Sequence, residues 1–243
     1  MPRAVVTDSG KWPKRQRALS AEEVLIRDQW MKIWLEDYMT KPTYTNLLER
    51  FNQRYPLRTA VRGAKTLEIG AGTGAHCAWE DLDAQDYYCN ELRPELLETL
   101  RKKHPTVGSA LGDCQRRLDF PDHSFDRVIA IHVLEHLPDL PSALAEIRRL
   151  MKPEGRFSVV LPCEGGLAYT LARQFTAKRL FNKRYAWDYD EFIKTEHVNV
   201  AEEVIDELGR VFDVEDRAYY PLRVPSSEVN LLIGLTLSPR PGA

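Results

Sequence analysis

The sequence predicts an α/β fold built around a mostly parallel sheet, and two features of the chain support this. From Lys65 onward, short apolar runs alternate with longer amphipathic stretches, as in repeated units of strand and helix. The last two apolar runs are separated only by a turn that contains Pro221 and Pro225, which favours an antiparallel hairpin. A chain of 243 residues can form one such domain with additions.

The predicted elements follow one another in a regular order. The expected strands lie near 65–69, 86–90, 108–112, 126–132, 155–161, 213–221 and 228–237. The expected helices lie near 75–82, 94–103, 141–151 and 200–210. The second of these helices opens with Pro94, a residue that is preferred at the first helical position.

The N-terminal region is predicted to hold an arm and two helices. Residues 1–18 carry basic side chains and few apolar ones, so a disordered tail and a functional lid both remain open. Ser20 and Glu23 have the spacing of a capping box at a helix start. A second helix is expected over 44–55. The apolar stripe of the first helix consists of Val24, Trp30, Met31, Trp34, Leu35 and Tyr38.

The composition indicates a soluble protein without a strong overall charge. A formal net charge of -2 offers no field that would attract polyanions, which argues weakly against a dedicated nucleic-acid binder. The four cysteines form no Cys-x-x-Cys pair, so neither a zinc knuckle nor a disulfide framework is indicated. No apolar run approaches the roughly 20 residues that span a bilayer, and no signal peptide is recognised. We therefore expect a cytoplasmic protein without a membrane partner.

A glycine-rich loop follows the first predicted strand. Gly70, Gly72 and Gly74 allow the backbone to turn tightly and to approach a ligand at the carboxyl edge of the sheet. The spacing Gly70-x-Gly72-x-x-Ala75, with Glu91 about 20 residues further on, also fits a dinucleotide-binding fingerprint. The loop alone therefore leaves a dehydrogenase open.

Three acidic residues stand at successive strand ends. Glu68 precedes the glycine loop, Glu91 ends the second predicted strand, and Asp113 ends the third. Taken singly, each is as readily explained as a helix cap or a solvated turn residue. Together they favour a ligand with positive charge over one that presents a pyrophosphate.

Several segments, read together, resemble the class I S-adenosylmethionine (SAM) dependent methyltransferases, and among them the broad group that modifies small molecules. The resemblance covers roughly residues 64 to 162. Its segments are Leu67-Glu-Ile-Gly-Ala-Gly-Thr-Gly74, Gly112-Asp113, Leu118-Asp-Phe-Pro-Asp-His-Ser-Phe-Asp-Arg-Val-Ile-Ala-Ile-His-Val-Leu-Glu-His-Leu137 and Arg148-Arg-Leu-Met-Lys-Pro-Glu-Gly155. This succession disfavours the dehydrogenase.

The resemblance implies a Rossmann-like, seven-stranded, mostly parallel sheet with an antiparallel C-terminal strand and helices on both faces. It also implies SAM as cofactor and S-adenosylhomocysteine (SAH) as its product. Glu68 and the loop amides would hold the methionine end, Glu91 the ribose, Asp113 the adenine amino group, and His132 the inner face. The implied cofactor-binding set is Glu68, Gly70, Ala71, Gly72, Gly74, Glu91, Leu92, Asp113, Cys114 and His132.

The region that would select the acceptor is expected outside this core. Residues 1–55 are predicted to form the arm and helical lid, 56–243 the catalytic domain, and an insertion at about 164–199 a substrate cap. The candidates for a general base are His197, His132 and His136, since a histidine pKa lies near neutrality. No metal is expected, because no metal-ligand spacing stands out. The candidate substrate-binding residues are Tyr185, Trp187, Tyr189, His197 and Asn199.

Three functional hypotheses remain open at this stage. The first is methyl transfer to an oxygen or nitrogen of a small molecule such as a sugar, a glycan precursor or a secondary metabolite. The second is methylation of RNA or protein, for which a basic or aromatic module would be expected. The third is a non-catalytic subunit that binds a partner, which the presence of all three acidic residues disfavours. The sequence carries no signal for an oligomeric state.

Overall fold

The computed structural model describes residues 11–33 and 45–242. Within these ranges the helices are α1 (Ala21–Ile33), α2 (Thr45–Arg54), α3 (Pro94–Lys103), α4 (Leu140–Leu150), α5 (Leu167–Phe175), α6 (Ala177–Arg184), α7 (Tyr189–Glu196) and α8 (Ala201–Val211). The strands are β1 (Lys65–Ile69), β2 (Asp86–Glu91), β3 (Gly108–Leu111), β4 (Phe125–Ile131), β5 (Met151–Pro162), β6 (Phe212–Tyr220) and β7 (Leu232–Pro239). Trp34, Leu35, Tyr38 and Tyr44, named in the predictions above, lie outside the described residues.

One sheet contains all seven strands, in the order β3-β2-β1-β4-β5-β7-β6. The first five are parallel to one another, whereas β7 runs antiparallel to both β5 and β6. Helices pack around the sheet, and the main core is formed where its apolar side chains meet those of α4 and α8. The predicted fold class, including the antiparallel C-terminal strand, is confirmed.

The prediction of a helix at 75–82 is wrong. Two short 3-10 turns, His76–Ala78 and Leu82–Ala84, stand there instead. His76 is buried, and its ring bonds Gln53 of α2 through Nδ1 (2.7 Å) and Glu80 through Nε2 (2.9 Å). The bond to Gln53 joins residues that are 23 positions apart, and a local sequence pattern does not reveal such a contact.

A buried ionic network surrounds Glu80. Its carboxylate lies 2.8 Å from Nη2 of Arg127, and both side chains are about 1% exposed. Arg127 also donates to the carbonyl of Pro56 (2.6 Å) and to Oγ1 of Thr59 (2.9 Å). Burial acts to raise the pKa of Glu80, but hydrogen bonds from His76 and Arg127 outweigh it and lower the pKa to about 2. The network therefore ties the start of the domain to β4.

We expect the Glu80 network to lose its stabilising effect in acid. The pKa of Glu80 lies below its ordinary value of 4.5 in the folded protein, so the ionised network is fully effective above about pH 4.5. Its contribution, about 3 kcal/mol, disappears as the pH falls towards 2. Urea unfolding at several pH values would measure it. The stability difference between the wild type and Glu80→Gln should shrink between pH 5 and pH 2, whereas exposed Glu154→Gln should give no such trend.

A second, smaller apolar core joins α1 to the insertion. Trp30 of α1 meets Phe181 of α6 edge to face at 5.2 Å, and Phe181 stacks on Phe192 of α7 at 4.9 Å. The insertion at about 164–199, for which a substrate cap but no helix was predicted, contains helices α5, α6 and α7. By contrast, α2 packs on the sheet, where Tyr55 contacts Thr236 of β7.

The described part of the N-terminal arm lies against the domain. The Lys14 amide donates to the carbonyl of Pro138 at 2.8 Å, and the Lys14 side chain pairs with Glu203 of α8. Trp12 packs on the main core and donates to Glu207 at 3.3 Å. Residues 11–19 are therefore a segment that is packed on the domain, whereas the functional lid stays a prediction.

The described helices are all too short or too polar to cross a membrane.

The capping box predicted at the start of α1 is confirmed. The Glu23 amide donates to Oγ of Ser20 (3.2 Å), and the Ser20 amide donates to the Glu23 carboxylate (2.8 Å).

Candidate active site

The glycine loop connects β1 to the turns that follow it. Gly70, Gly72 and Gly74 all have positive φ values, which glycine adopts without strain. A Cβ on Gly70 would lie only 2.6 Å from Cγ2 of Val133, so the loop touches the chain that follows β4. A Cβ on Gly72 would meet no atom within 4 Å. The loop is therefore packed on one side and open on the other.

Glu91 holds the open side of the loop in place. It ends β2, is 5% exposed, and accepts the amide of Gly72 at 2.9 Å through Oε2. Its Oε1 accepts the amide of Arg93 at 2.9 Å. The carboxylate thus stands beside the loop and is fixed at both oxygens by backbone donors.

Glu68 lies deeper than the resemblance implied. It is 4% exposed and accepts a hydrogen bond from the hydroxyl of Tyr87 at 2.9 Å, next to Cys89. Burial raises its pKa. The contacts that the structure shows for Glu68 support the strands beneath the loop, and a direct contact with a ligand stays a prediction.

The residues that follow β3 lie at the same carboxyl edge of the sheet, on the side of Glu91 that is remote from β1. Asp113 is partly exposed, and its Oδ1 accepts from the amide and the side chain of Gln115 at 3.0 Å each. Leu92 is 60% exposed, which leaves an apolar side chain free next to Glu91. Cys114 instead packs into the main core at 6% exposure, so its side chain has a structural role.

Residues 132–137, here called the post-β4 turn, bring a carboxylate between histidines. Glu135 is 2% exposed, and its Oε1 lies 3.3 Å from Nδ1 of His132 and 4.0 Å from Nε2 of His136. Burial acts to raise the pKa of Glu135, but the bond from His132 and the neighbouring His136 and His197 lower it to about 2. Loss of water around His136 lowers its pKa to about 4. At neutral pH the turn thus presents a carboxylate beside a neutral imidazole.

His197 reaches the post-β4 turn from the insertion. It follows α7, and its ring meets that of His136 edge to face, with the centroids 4.8 Å apart. Nδ1 of His197 lies 2.7 Å from the carboxylate of Glu164, which also binds Arg173 at 2.7 Å. The three histidines named as catalytic candidates therefore gather around Glu135. Glu164, which follows the end of β5, orients one of them.

Asn199 is placed differently from its predicted substrate role. It is fully buried, and its side-chain amide donates to the carbonyls of Leu134 (2.8 Å) and Leu137 (2.9 Å). Its backbone amide donates to the carbonyl of Glu135. Asn199 therefore fixes the post-β4 turn, because each of these bonds ties the insertion to it.

The three aromatic residues proposed as a substrate wall pack with one another around α6. Tyr189 is 4% exposed, and burial raises its pKa to about 12. Tyr185 and Trp187 are partly buried against the same cluster, where both rings contact Phe181. The structure assigns them a packing role, and any contact with a substrate stays a prediction.

A cleft of about 470 Å³ lies between the N-terminal arm and the end of α7. Residues within 14–17 and 191–198 line this arm cleft, and His197 is one of them. Arg15 and Lys194 supply positive charge, and neither forms an ion pair among the residues that the structure describes. The cleft therefore offers a polar volume next to the histidine cluster.

Comparison with known proteins places this edge of the sheet in a family. Residues 67–159 match the family described as "Methyltransferase domain". The matched segment contains the glycine loop, Glu91, Asp113 and the post-β4 turn. This part of the chain therefore matches a methyltransferase domain, in agreement with the resemblance to the class I SAM-dependent methyltransferases. The match ends before the insertion, so it does not extend to His197.

Individual relatives of the methyltransferase domain act on different kinds of atom, according to their names. The chain is 32% identical over 113 residues to a malonyl-[acyl-carrier protein] O-methyltransferase of Halorhodospira halophila, covering 45% of this chain and 37% of that protein. It is 27% identical over 188 residues to a sterol 24-C-methyltransferase of Eremothecium gossypii, covering 66% and 46%. The chain thus spans less than half the length of these two curated relatives.

A solved structure shares the fold over most of the chain. The N-methyltransferase NodS from Bradyrhizobium japonicum, in complex with SAH, matches with a TM-score of 0.59 and 14% identity, covering 88% of this chain and 98% of that one. This likeness shows the fold. Together the three names include oxygen, carbon and nitrogen acceptors, so the family leaves the acceptor atom of this chain open.

Glu135 and Glu164 belong to the site but were not predicted from the sequence. Glu135 lay within the quoted segment that ends at Leu137, between two histidines that were singled out. Glu164 gave no local signal, because its partner His197 is 33 residues away in the sequence.

Proposed function

We propose that this chain transfers a methyl group from SAM to an oxygen or nitrogen of a small-molecule acceptor. The observation that carries the proposal is the histidine cluster beside the glycine loop. Val133, next to His132, lies against Gly70, while His197 reaches the same cluster and lines the arm cleft. A cofactor edge and a polar cleft therefore adjoin one another.

The residues at the glycine loop fit SAM. The open space beyond Gly72 leaves room at the loop, and the Glu91 side chain offers carboxyl oxygens that are already fixed by two amides. We propose that the loop amides hold the methionine end, Glu91 the ribose, and Asp113 with exposed Leu92 the adenine. When bound, SAM supplies an electrophilic methyl group, which an acceptor lone pair takes while the electrons of the carbon–sulfur bond return to sulfur.

His197 is suited to receive the proton that the acceptor loses. Its Nδ1–H is directed to the Glu164 carboxylate at 2.7 Å, which leaves Nε2 as the free basic nitrogen. Glu164 is 10% exposed, so it orients the ring without being exposed itself. Placement of the acceptor against the methyl donor supplies the rest of the rate acceleration.

The arm and the insertion together would form the cap over the acceptor. The arm cleft is lined by both, and the second apolar core joins α1 to α6 and α7. Arg15 and Lys194, which form no ion pair with the residues that the structure describes, favour a polar or acidic acceptor in this volume. We propose that residues 11–33 and the insertion act as one lid on the catalytic domain, whereas α2 belongs to the part that packs on the sheet.

Methylation of RNA or protein is the second candidate, and the arm contacts argue against it. The basic side chains at Lys11 and Lys14 pair with Glu203, and Arg17 pairs with Glu23. Cations that are paired within the chain are less free to bind phosphates.

The four cysteines are free and buried, which suits a reducing compartment such as the cytoplasm.

Calorimetry with SAM and SAH tests the first part of the proposal. We expect both ligands to bind with one equivalent at the same site, because the described residues place one glycine loop at the carboxyl edge of the sheet. A screen of hydroxyl, amine and carbon acceptors with labelled methyl donor then tests the second part. Absence of heat with both ligands would contradict methyl transfer altogether, whereas labelling of carbon acceptors alone would contradict the oxygen or nitrogen assignment.

A further inference from the structure

Three side chains of the histidine cluster have the make-up of a metal site. Glu135, His136 and His197 each place one ligand atom within 4.8 Å of the other two. Ligand atoms of a tetrahedral zinc site lie about 3.4 Å apart when the metal–ligand bonds are about 2.1 Å. Movements of about 1 Å by these side chains would therefore close the geometry around an ion.

Both histidines are already oriented as ligands usually are. Nδ1 of His136 lies 2.7 Å from the carbonyl of Glu196, and Nδ1 of His197 lies 2.7 Å from Glu164. Each acceptor fixes the proton on Nδ1, so that Nε2 carries the lone pair. A ligating histidine commonly donates its other N–H to a carboxylate or a carbonyl in this way.

One carboxylate oxygen of Glu135 is buried and has no hydrogen-bond partner in the described part of the chain. The side chain is 2% exposed, and Oε2, although shielded from solvent, accepts no hydrogen bond from residues 11–33 or 45–242. A buried carboxylate oxygen that lacks a donor is costly unless a cation or another group satisfies it. This observation is independent of the histidine geometry and also indicates a bound cation.

We propose that Glu135, His136 and His197 bind a divalent cation with nitrogen affinity, of the class of Zn²⁺. Two imidazoles and one carboxylate suit Zn²⁺ and its neighbours in the first transition row better than Mg²⁺, which prefers oxygen ligands. Three protein ligands leave at least one coordination position open. The proposal replaces the expectation from the sequence that no metal is bound.

The open position gives the ion a role that rests on the proposed function. A hydroxyl acceptor bound there would lose its proton to water more readily, because a divalent ion stabilises the alkoxide. The alkoxide oxygen then forms the bond to the methyl carbon, and the electrons of the carbon–sulfur bond return to sulfur. In the ion-bound protein His197 is a ligand instead of the base, and the acceptor atom is oxygen.

A second cluster could compete for the ion. Glu68, Cys77 and Cys89 also place ligand atoms within 4.8 Å of one another, but all three are buried. A thiolate site and a nitrogen–oxygen site differ in the absorption of bound Co²⁺, since only thiolates give sulfur-to-cobalt charge-transfer bands. Co²⁺ therefore distinguishes the two clusters.

Metal binding can be measured without SAM or an acceptor. Purified protein treated with a chelator and then dialysed would be titrated with Zn²⁺ against a chromophoric competitor, and with Co²⁺ by visible absorption. We expect one equivalent of Zn²⁺, a Co²⁺ spectrum without thiolate bands, and a rise in Tm on binding. His197→Gln and Glu135→Gln should each weaken binding at least 10-fold, since each removes one of three ligands.

His123→Asn is the matched control. His123 bonds the carbonyl of Met151 outside the cluster and has a positive φ, which asparagine tolerates. It should bind Zn²⁺ like the wild type. Thiolate bands with Co²⁺, or equal affinity in the wild type and both cluster variants, would overturn the proposal. Circular dichroism shows whether a variant is folded, and SAM binding by calorimetry separates failure of the metal site from failure of the proposed function.

Discussion

Replacing Glu91 by alanine is expected to weaken the binding of SAM and SAH about 100-fold. The substitution removes the carboxyl group beside the loop and leaves the amides of Gly72 and Arg93 without their partner. Hydrogen bonds to charged groups contribute about 1.5–3 kcal/mol each, and a 100-fold change corresponds to about 2.7 kcal/mol. Isothermal titration calorimetry with both ligands measures the effect.

Glu95→Ala provides the control for Glu91→Ala. Glu95 lies four residues further on, in the first turn of α3, and is exposed. It carries the same charge but does not contact the glycine loop. Equal affinities of the two variants would mean that Glu91 acts only through overall charge, and the assignment of the ribose to this side chain would then be withdrawn.

Replacing His197 by alanine is expected to lower kcat at least about 100-fold on an identified hydroxyl or amine acceptor. A positioned acid or base typically contributes about 100- to 10,000-fold. The substitution removes the ring that meets His136 and is oriented by Glu164, whereas Glu91 and the glycine loop are untouched. We therefore expect a large fall in kcat and little change in SAH affinity.

The comparison with His123→Asn makes the His197 result specific. This variant alters a histidine outside the cluster and should keep the wild-type kcat. Full turnover by His197→Ala would exclude both roles proposed for the side chain, proton acceptor and metal ligand. Loss of SAH binding in His197→Ala would show instead that the substitution disturbs the fold of the site.

The strands could be predicted well because their signals are local. The expected limits of β1 agree with the structure, and those of β2, β3 and β4 differ by one residue. The start of β5 was placed four residues late, since the sheet bulges between Phe125 and Arg127 and Met151 still pairs there. An apolar run indicates where a strand lies. It does not indicate where a bulge in the neighbouring strand allows the pairing to begin earlier.

The acceptor side could not be predicted to the same depth, because its contacts join distant parts of the chain. His197 and Glu164 are separated by 33 residues, and His136 and Glu196 by 60. The aromatic residues of the insertion were predicted to line a substrate pocket. Tyr189 is instead buried in an apolar cluster to which α1 contributes Ile26 and Trp30. Three aromatic residues in one segment are consistent with both a pocket and a helix interface. The two can be told apart only when the position of the partner helix is known.

The position of β7 has a consequence for the order in which the protein folds. Both β5 and β6 pair with β7 and not with each other. During synthesis β6 leaves the ribosome before β7, so it has no neighbour to pair with until residues 232–239 have emerged. The β6–β7 hairpin is local in sequence and can form in microseconds, whereas its docking on β5 closes a loop of some 70 residues. Assembly of the sheet should therefore end with the hairpin adding to β5, and nascent chains stalled before β7 should expose the edge of β5 to proteases.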